Sequence, residues 1–117
     1  MKARVLIILS LLLLAAPSDP SDSVNLLFWN RTGRAITNLV MALPGTAKWG
    51  PDQCAKHKDG RVDEDQHLEL TGLTSDQYDV KLTDASGRTC VVRDVVIQTG
   101  KADAFSLSES DLKDCSK

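Results

Sequence analysis

The sequence has little of what nucleic-acid-binding proteins rely on. Its 117 residues include only two tryptophans, two phenylalanines and one tyrosine, and 14 lysines and arginines stand against 16 acidic residues. The net charge of −2 argues against a nucleic-acid partner, because binding to phosphates favours a basic face. The scarcity of aromatic side chains also argues against stacking on single-stranded bases.

Catalytic signatures are missing as well. The chain has no G-x-S-x-G elbow, no cysteine–histidine arrangement that stands out and no glycine-rich phosphate loop. The neighbouring carboxylates at 63–65 point in different directions, so they are not an acid–base pair. No heptad pattern persists, which excludes a coiled coil. We therefore predict a protein that is not an enzyme and needs no cofactor.

The first 18 residues have the order of a secretory signal. Lys2 and Arg4 precede an apolar run at 5–16, and small residues follow. Twelve residues are too few to span a bilayer, which takes about 20. We expect a signal peptide at 1–18, a flexible lead at 19–23 and one β domain at 24–117. The mature protein is expected to be periplasmic or secreted, with no membrane insertion after cleavage.

The rest of the chain reads as short strands separated by turns. Two-residue alternation or β-branched composition predicts six strands, at 24–30, 35–43, 66–71, 77–84, 89–97 and 102–107. The second has a helical alternative, but flanking turn residues favour a hairpin with the first strand. Asp94 predicts a bulge or kink in the fifth strand. A capping-box pattern from Ser108 to Asp111 predicts a short C-terminal helix.

These elements predict an all-β fold, either a small antiparallel β-sandwich of immunoglobulin or fibronectin type or a partly open barrel. The long irregular stretch at 44–65 exceeds an ordinary connection, so it is either a functional loop or packed on itself. Trp49 is expected to hold it against the body of the domain. As possible recognition residues of this loop we predict Trp49, Asp52 and Arg61.

The three cysteines allow at most one bridge within the chain. We predict a Cys90–Cys115 disulfide, because the last strand is expected to return beside the Cys90 strand and the terminal helix then brings Cys115 near it. Closing such a loop contributes about 3–4 kcal/mol in the chain-entropy model. Cys54 is then the free thiol, and pairings of Cys54 with either of the others remain open.

The segment at 54–67 carries the weak candidates for a metal site: His57, Asp59, Asp63 and His67. Aligning Gly60 with the glycine of a calcium loop leaves the first and twelfth positions without carboxylates. A zinc site through Cys54, His57 and His67 lacks a second close pair of ligands. We therefore predict no bound metal.

Four short motifs occur in order along the chain: N-x-T-G at 30–33, W-G-x-D at 49–52, Y-D-V-K-L at 78–82 and G-x-x-C at 87–90. With them the chain resembles a group of small exported bacterial β-rich proteins of unassigned function, over about residues 24–97. The resemblance implies an exported β domain and carries no catalytic residues.

Together these features predict an exported, non-enzymatic binding or envelope-accessory module. Its partner is an unidentified protein or small molecule, and we expect a monomer. Two alternatives are a metal-binding module or small hydrolase that uses the 54–67 segment, and a secreted protease inhibitor that presents the 44–65 loop.

Overall fold

A computed structural model describes residues 26–117, so the signal at 1–18 and the lead at 19–23 lie outside the described residues. Seven strands form two sheets, one of three strands in the order β3-β1-β6 and one of four in the order β2-β4-β5-β7. The strands are β1 (Leu26–Arg31), β2 (Ile36–Ala42), β3 (His67–Leu70), β4 (Gln77–Asp84), β5 (Thr89–Val96), β6 (Phe105–Ser108) and β7 (Asp114–Ser116). In this part of the chain no helix is long and apolar enough to cross a membrane.

The core lies between the two sheets. Strand alternation turns Phe28 and Leu68 of one sheet, and Leu39 and Leu82 of the other, into the same buried cluster. Phe28 also packs on Phe105, with ring centroids 4.9 Å apart. Because both sheets contribute to one core and each keeps its own edges, the all-β sandwich prediction is confirmed.

The connection between β1 and β2 is not the hairpin that the sequence predicts. The two strands belong to different sheets, because the chain turns away at Thr32 and crosses the sandwich. β1 instead lies between β3, which is antiparallel to it, and β6, which is parallel. The expectation of a purely antiparallel fold is therefore wrong at the β1–β6 pair.

The C-terminal segment differs from the sequence prediction in two ways. The capping box forms, with Ser108 N donating to Asp111 Oδ2 at 2.8 Å, but the helix is a single 3-10 turn, Glu109–Asp111. Leu112 then enters the core, and the chain continues as β7 beside β5. The strand next to β5 is thus β7, which places Cys115 directly opposite Cys90.

The bulge predicted at Asp94 is present in β5. Tyr78 lies opposite Val95 and Val80 opposite Val92, so Asp79 faces two residues. Asp94 adopts a positive φ of 57°, and its amide donates to Asp79 Oδ1 at 3.0 Å. Hydrogen bonds from the Gly45 and Asp94 amides, together with the charge of nearby Arg93, hold the pKa of the buried Asp79 carboxyl below its usual range, despite burial. This carboxylate therefore fixes the bulge and the start of the long loop.

Candidate functional site

The long loop between β2 and β3 is fastened along the edge of β2. Gly50 N donates to Met41 O at 2.9 Å, and a Cβ atom at Gly50 would lie 3.3 Å from that oxygen. Asp52 Oδ1 accepts hydrogen bonds from Leu39 N at 3.0 Å and Cys54 N at 2.9 Å. These contacts favour glycine at 50 and a short acceptor at 52, which gives the W-G-x-D motif a structural role.

Asn30 holds the far end of the loop. Its side chain is fully buried, and Nδ2 lies 2.8–3.1 Å from the carbonyl oxygens of Arg34, Val62 and Asp63. Its Oδ1 accepts from Thr32 N at 3.1 Å and Thr32 Oγ1 at 2.7 Å. One side chain therefore joins β1, the crossing turn and the last residues of the loop.

The three predicted recognition residues lie at different places. Trp49 is half-buried, and the Lys81 ammonium of β4 lies 4.8 Å from its ring centroid, so it holds the loop against the sheet as predicted. Asp52 is used by the backbone bonds described above. Arg61 is exposed and pairs with Asp63 Oδ1 at 2.9 Å. Of the three, only Asp52 lines the groove described next.

Two clefts lie end to end between the loop and β3. The first, of about 550 Å³, is lined by residues 57–59, 63 and 65–67. The second, of about 400 Å³, is lined by residues 51–53, 55–57, 68, 69 and 71. The two clefts are neighbours, since both are lined by His57, and together we call them the β3 groove.

The weak metal candidates His57, Asp59, Asp63 and His67 all line the first cleft, but their side chains do not converge. His57 Nδ1 lies 2.8 Å from the carbonyl oxygen of Arg61, and His67 Nε2 lies 3.0 Å from an Asp103 carboxylate oxygen. Within residues 26–117, no group of three or more potential ligands is placed to hold a metal ion. The first cleft is lined by polar and charged side chains.

Two of the three cysteines form a disulfide, and the third is buried. Cys90 and Cys115 form the predicted disulfide, with Cα atoms 4.0 Å apart, and Cys54 is the free cysteine. Cys54 is fully buried, and burial, reinforced by the negative charge of Asp52, raises the pKa of its thiol to about 12. The thiol is therefore neutral at ordinary pH, which makes it a poor nucleophile and a poor metal ligand.

A stacked cluster on the outer face of β1 borders the groove. The rings of Trp29 and His67 stack with centroids 5.5 Å apart and planes 13° apart, and the Arg31 guanidinium lies 4.7 Å from the Trp29 ring. Trp29 Nε1 donates to Asp65 Oδ1 at 3.0 Å. Sequence reasoning missed this cluster. The available signal was the polar face of the first strand, where 29 and 31 alternate with the buried positions.

No known protein family, curated protein or solved structure matches this chain.

The residues of the four sequence motifs have structural roles in this fold. Besides Asn30 and Gly50, the Tyr78 hydroxyl accepts hydrogen bonds from Thr74 N at 2.8 Å and Ser75 N at 3.1 Å. Tyr78 is buried, and its hydroxyl holds the turn before β4.

Proposed function

We propose that this protein is an exported, non-enzymatic binding domain that recognises its partner through the β3 groove. One observation carries the proposal: two adjacent clefts lie between a loop fastened at both ends and the edge of a sheet. Rigid scaffolds place recognition in loops of this kind. Because Asn30 and Asp52 fix the loop, the groove is preformed and a ligand does not have to order it.

The side chains inside the groove favour binding over chemistry. Lys56, Asp59 and Glu69 are exposed, and no side-chain hydrogen bond or ion pair engages them within residues 26–117. The Cys54 thiol is buried beneath the loop and neutral, so it supplies no nucleophile to the groove. The available side chains are therefore charged contact groups, which suits recognition of a polar partner.

The location outside the cytoplasm rests on two features. The Cys90–Cys115 disulfide is typical of oxidising compartments, and the signal-like residues 1–18 suit export to the periplasm or the medium. The intact mass of protein from the extracytoplasmic fraction tests this part. We expect a chain that starts near Asp19, and a mass that retains residues 1–16 would contradict export with cleavage.

Site-specific photo-crosslinking tests the groove. A photoreactive amino acid is placed at Lys56 or Glu69 inside the groove and at the exposed Lys101 outside it. We expect one defined adduct from the extracytoplasmic fraction at the two groove positions and none at the control. Absence of any adduct, or equal adducts at all three positions, would contradict a binding role for the groove.

A further inference from the structure

The hydrogen bonds of β1 determine which backbone groups of β3 remain open. Asn30 N donates to Gln66 O at 2.9 Å, so this opposite pair is a bonded one. Bonded and non-bonded pairs alternate along antiparallel strands, and His67 and Glu69 therefore direct their amides and carbonyls away from β1. Leu27 fits this alternation. It lies opposite Glu69, and its carbonyl oxygen accepts a hydrogen bond from Ala104 N, on the β6 side.

A side chain already imitates a paired strand at one end of this edge. Gln53 Nε2 donates to Thr71 O at 3.0 Å, and Gln53 Oε1 accepts from Thr71 N at 3.0 Å. The backbone N–H and C=O groups of Thr71 point away from β1, like those of His67 and Glu69. The main-chain groups of those two residues make no hydrogen bond on this side within the described part of the chain. The edge therefore offers four backbone groups to an added strand.

The length of the groove matches such a strand. β3 spans four residues, or about 13 Å at roughly 3.3 Å per residue. The clefts of about 550 and 400 Å³ lie along this same edge, with the loop as their second wall. An extended segment of four to five residues matches that length, at about 3.3 Å each.

The charges lining the groove favour a basic occupant. Five carboxylates face two lysines among the lining residues. Arg61 neutralises one of them, Asp63, but it does not line the groove itself. Asp59 lines the first cleft and Glu69 the second; both are exposed and have no ion pair among residues 26–117. A segment with more than one lysine or arginine would meet a carboxylate in each cleft.

We propose that the β3 groove binds an extended, basic peptide segment of a protein partner, which adds a strand to the free edge of β3. The inference rests on the proposed function and names its class of partner. Backbone pairing of this kind supplies affinity largely independent of sequence, while side chains on either face supply specificity. The negative charge of the groove then selects basic segments over acidic ones.

Eight-residue peptides with lysine or arginine at alternate positions and β-branched residues between them are the probe. The best binder is remade as two variants, one N-methylated on its odd-numbered amides and the other on its even-numbered amides. We expect the variant whose methylated amides would face β3 to bind at least tenfold more weakly, and the other to lose less than threefold in affinity. Equal losses for both variants, or no loss for either, would overturn strand addition.

Hydrogen exchange reports the contact without changing the protein. On peptide binding, we expect the amides of His67 and Glu69 to exchange at least tenfold more slowly. The Leu68 amide already faces β1 and serves as the internal control. Slower exchange at Leu68 alone, or at none of the three, would overturn pairing at this edge.

Charge reversal tests the selection of basic segments. The variant Asp59→Lys/Glu69→Lys is expected to weaken binding of the best basic peptide at least tenfold. The exposed Asp76→Lys, outside the groove, is expected to leave binding within twofold. Equal binding of acidic and basic peptides would overturn the charge argument. A groove-dependent crosslinked partner with no peptide binding would remove this inference and leave the proposed function standing, whereas loss of both would remove both.

Discussion

The β4–β5 hairpin and the β3 groove are both rich in charged side chains, but their surroundings differ. In the hairpin, the buried Asp84 carboxylate accepts hydrogen bonds from Ser86 N, Ser86 Oγ, Arg88 N and Arg88 Nε. Arg88 also forms a bidentate salt bridge with Glu109, in which Nη1 lies 2.7 Å from Oε2 and Nη2 lies 2.9 Å from Oε1. In the groove, Asp59 and Glu69 are exposed and have no such partners among residues 26–117.

The comparison separates charges that hold the fold together from charges that are available to a ligand. In the hairpin both oxygens of the buried Asp84 carboxylate accept hydrogen bonds, so removing a partner leaves a buried group less well satisfied. In the groove the fastening is done by Asn30, Asp52 and Gln53, whereas Asp59 and Glu69 have no partners among residues 26–117 through which they would stabilise the fold. Acidic residues of the same type thus have different roles, and the number of hydrogen-bond partners distinguishes them.

The largest effect is expected from Asn30→Ala. It removes the contacts of Nδ2 with three carbonyl oxygens and leaves the buried Thr32 amide without its acceptor, which we expect to cost about 4 kcal/mol of unfolding free energy. The half-buried Asn38→Ala is the control, since its side chain makes no hydrogen bond among the described residues. Urea unfolding measures both. A loss at Asn30 no greater than at Asn38 would show that the loop is held by other contacts.

Removal of the disulfide comes next. The double variant Cys90→Ser/Cys115→Ser releases β7 from β5, and with a sequence separation of 25 we expect a loss of about 3 kcal/mol. Cys54→Ala is the matched control and is expected to cost about 1 kcal/mol through a small cavity. Thermal unfolding of the oxidised proteins measures the difference. A larger loss for the control would mean that the loop anchors the domain more strongly than the disulfide does.

Asp84→Asn tests the fixed charges of the hairpin. Burial favours the neutral acid, but hydrogen bonds from Ser86 and Arg88 outweigh it and hold the pKa of Asp84 below its ordinary value. The stabilisation is therefore present above the ordinary carboxyl pKa and is lost as the pH falls through it towards the lower folded value. We expect the variant to lose about 2 kcal/mol of unfolding free energy at neutral pH. Its stability should also fall less steeply than that of the wild type as the pH is lowered.

Urea midpoints measured between pH 3 and 7 check this expectation, with the exposed Asp76→Asn as the control. The wild-type and Asp84→Asn curves should approach each other in acid. Parallel curves would show that the Asp84 charge does not stabilise the fold.

The smallest effect is expected from Gln53→Ala, at about 1 kcal/mol for two partly exposed hydrogen bonds. The substitution frees the Thr71 amide and carbonyl, so it lengthens the open edge of β3. Hydrogen exchange at the Thr71 amide should become faster, while exchange at Leu68 stays the same. The exposed Gln98→Ala is the control. An unchanged Thr71 amide would mean that Gln53 does not cover this edge.

Local patterns predicted the β4–β5 hairpin well. The strand ranges of the sequence analysis match the structure within one residue, because alternation, a turn closed by Gly87 and the break at Asp94 all act over neighbouring residues. The path after β1 depends on distant groups. A turn at 32–34 fits a hairpin as well as a crossing, and the outcome follows from the bonds of Asn30 to carbonyls at 62 and 63.

The candidate site was predicted only in part. The sequence named His57, Asp59, Asp63 and His67 as metal candidates while predicting no bound metal, and the structure places all four along one cleft. Which neighbours each side chain meets depends on where β3 lies relative to the loop. The open edge at Glu69 is a property of strand order, and no residue type signals it.

The central position of β1 in its sheet also affects the order of folding. Both neighbours of β1 come later in the chain, and its parallel partner aligns Phe28 with Phe105, across most of the domain. Contacts between residues so far apart require closure of a long loop, which slows folding. The first strand therefore cannot complete its pairing until β6 has been synthesised.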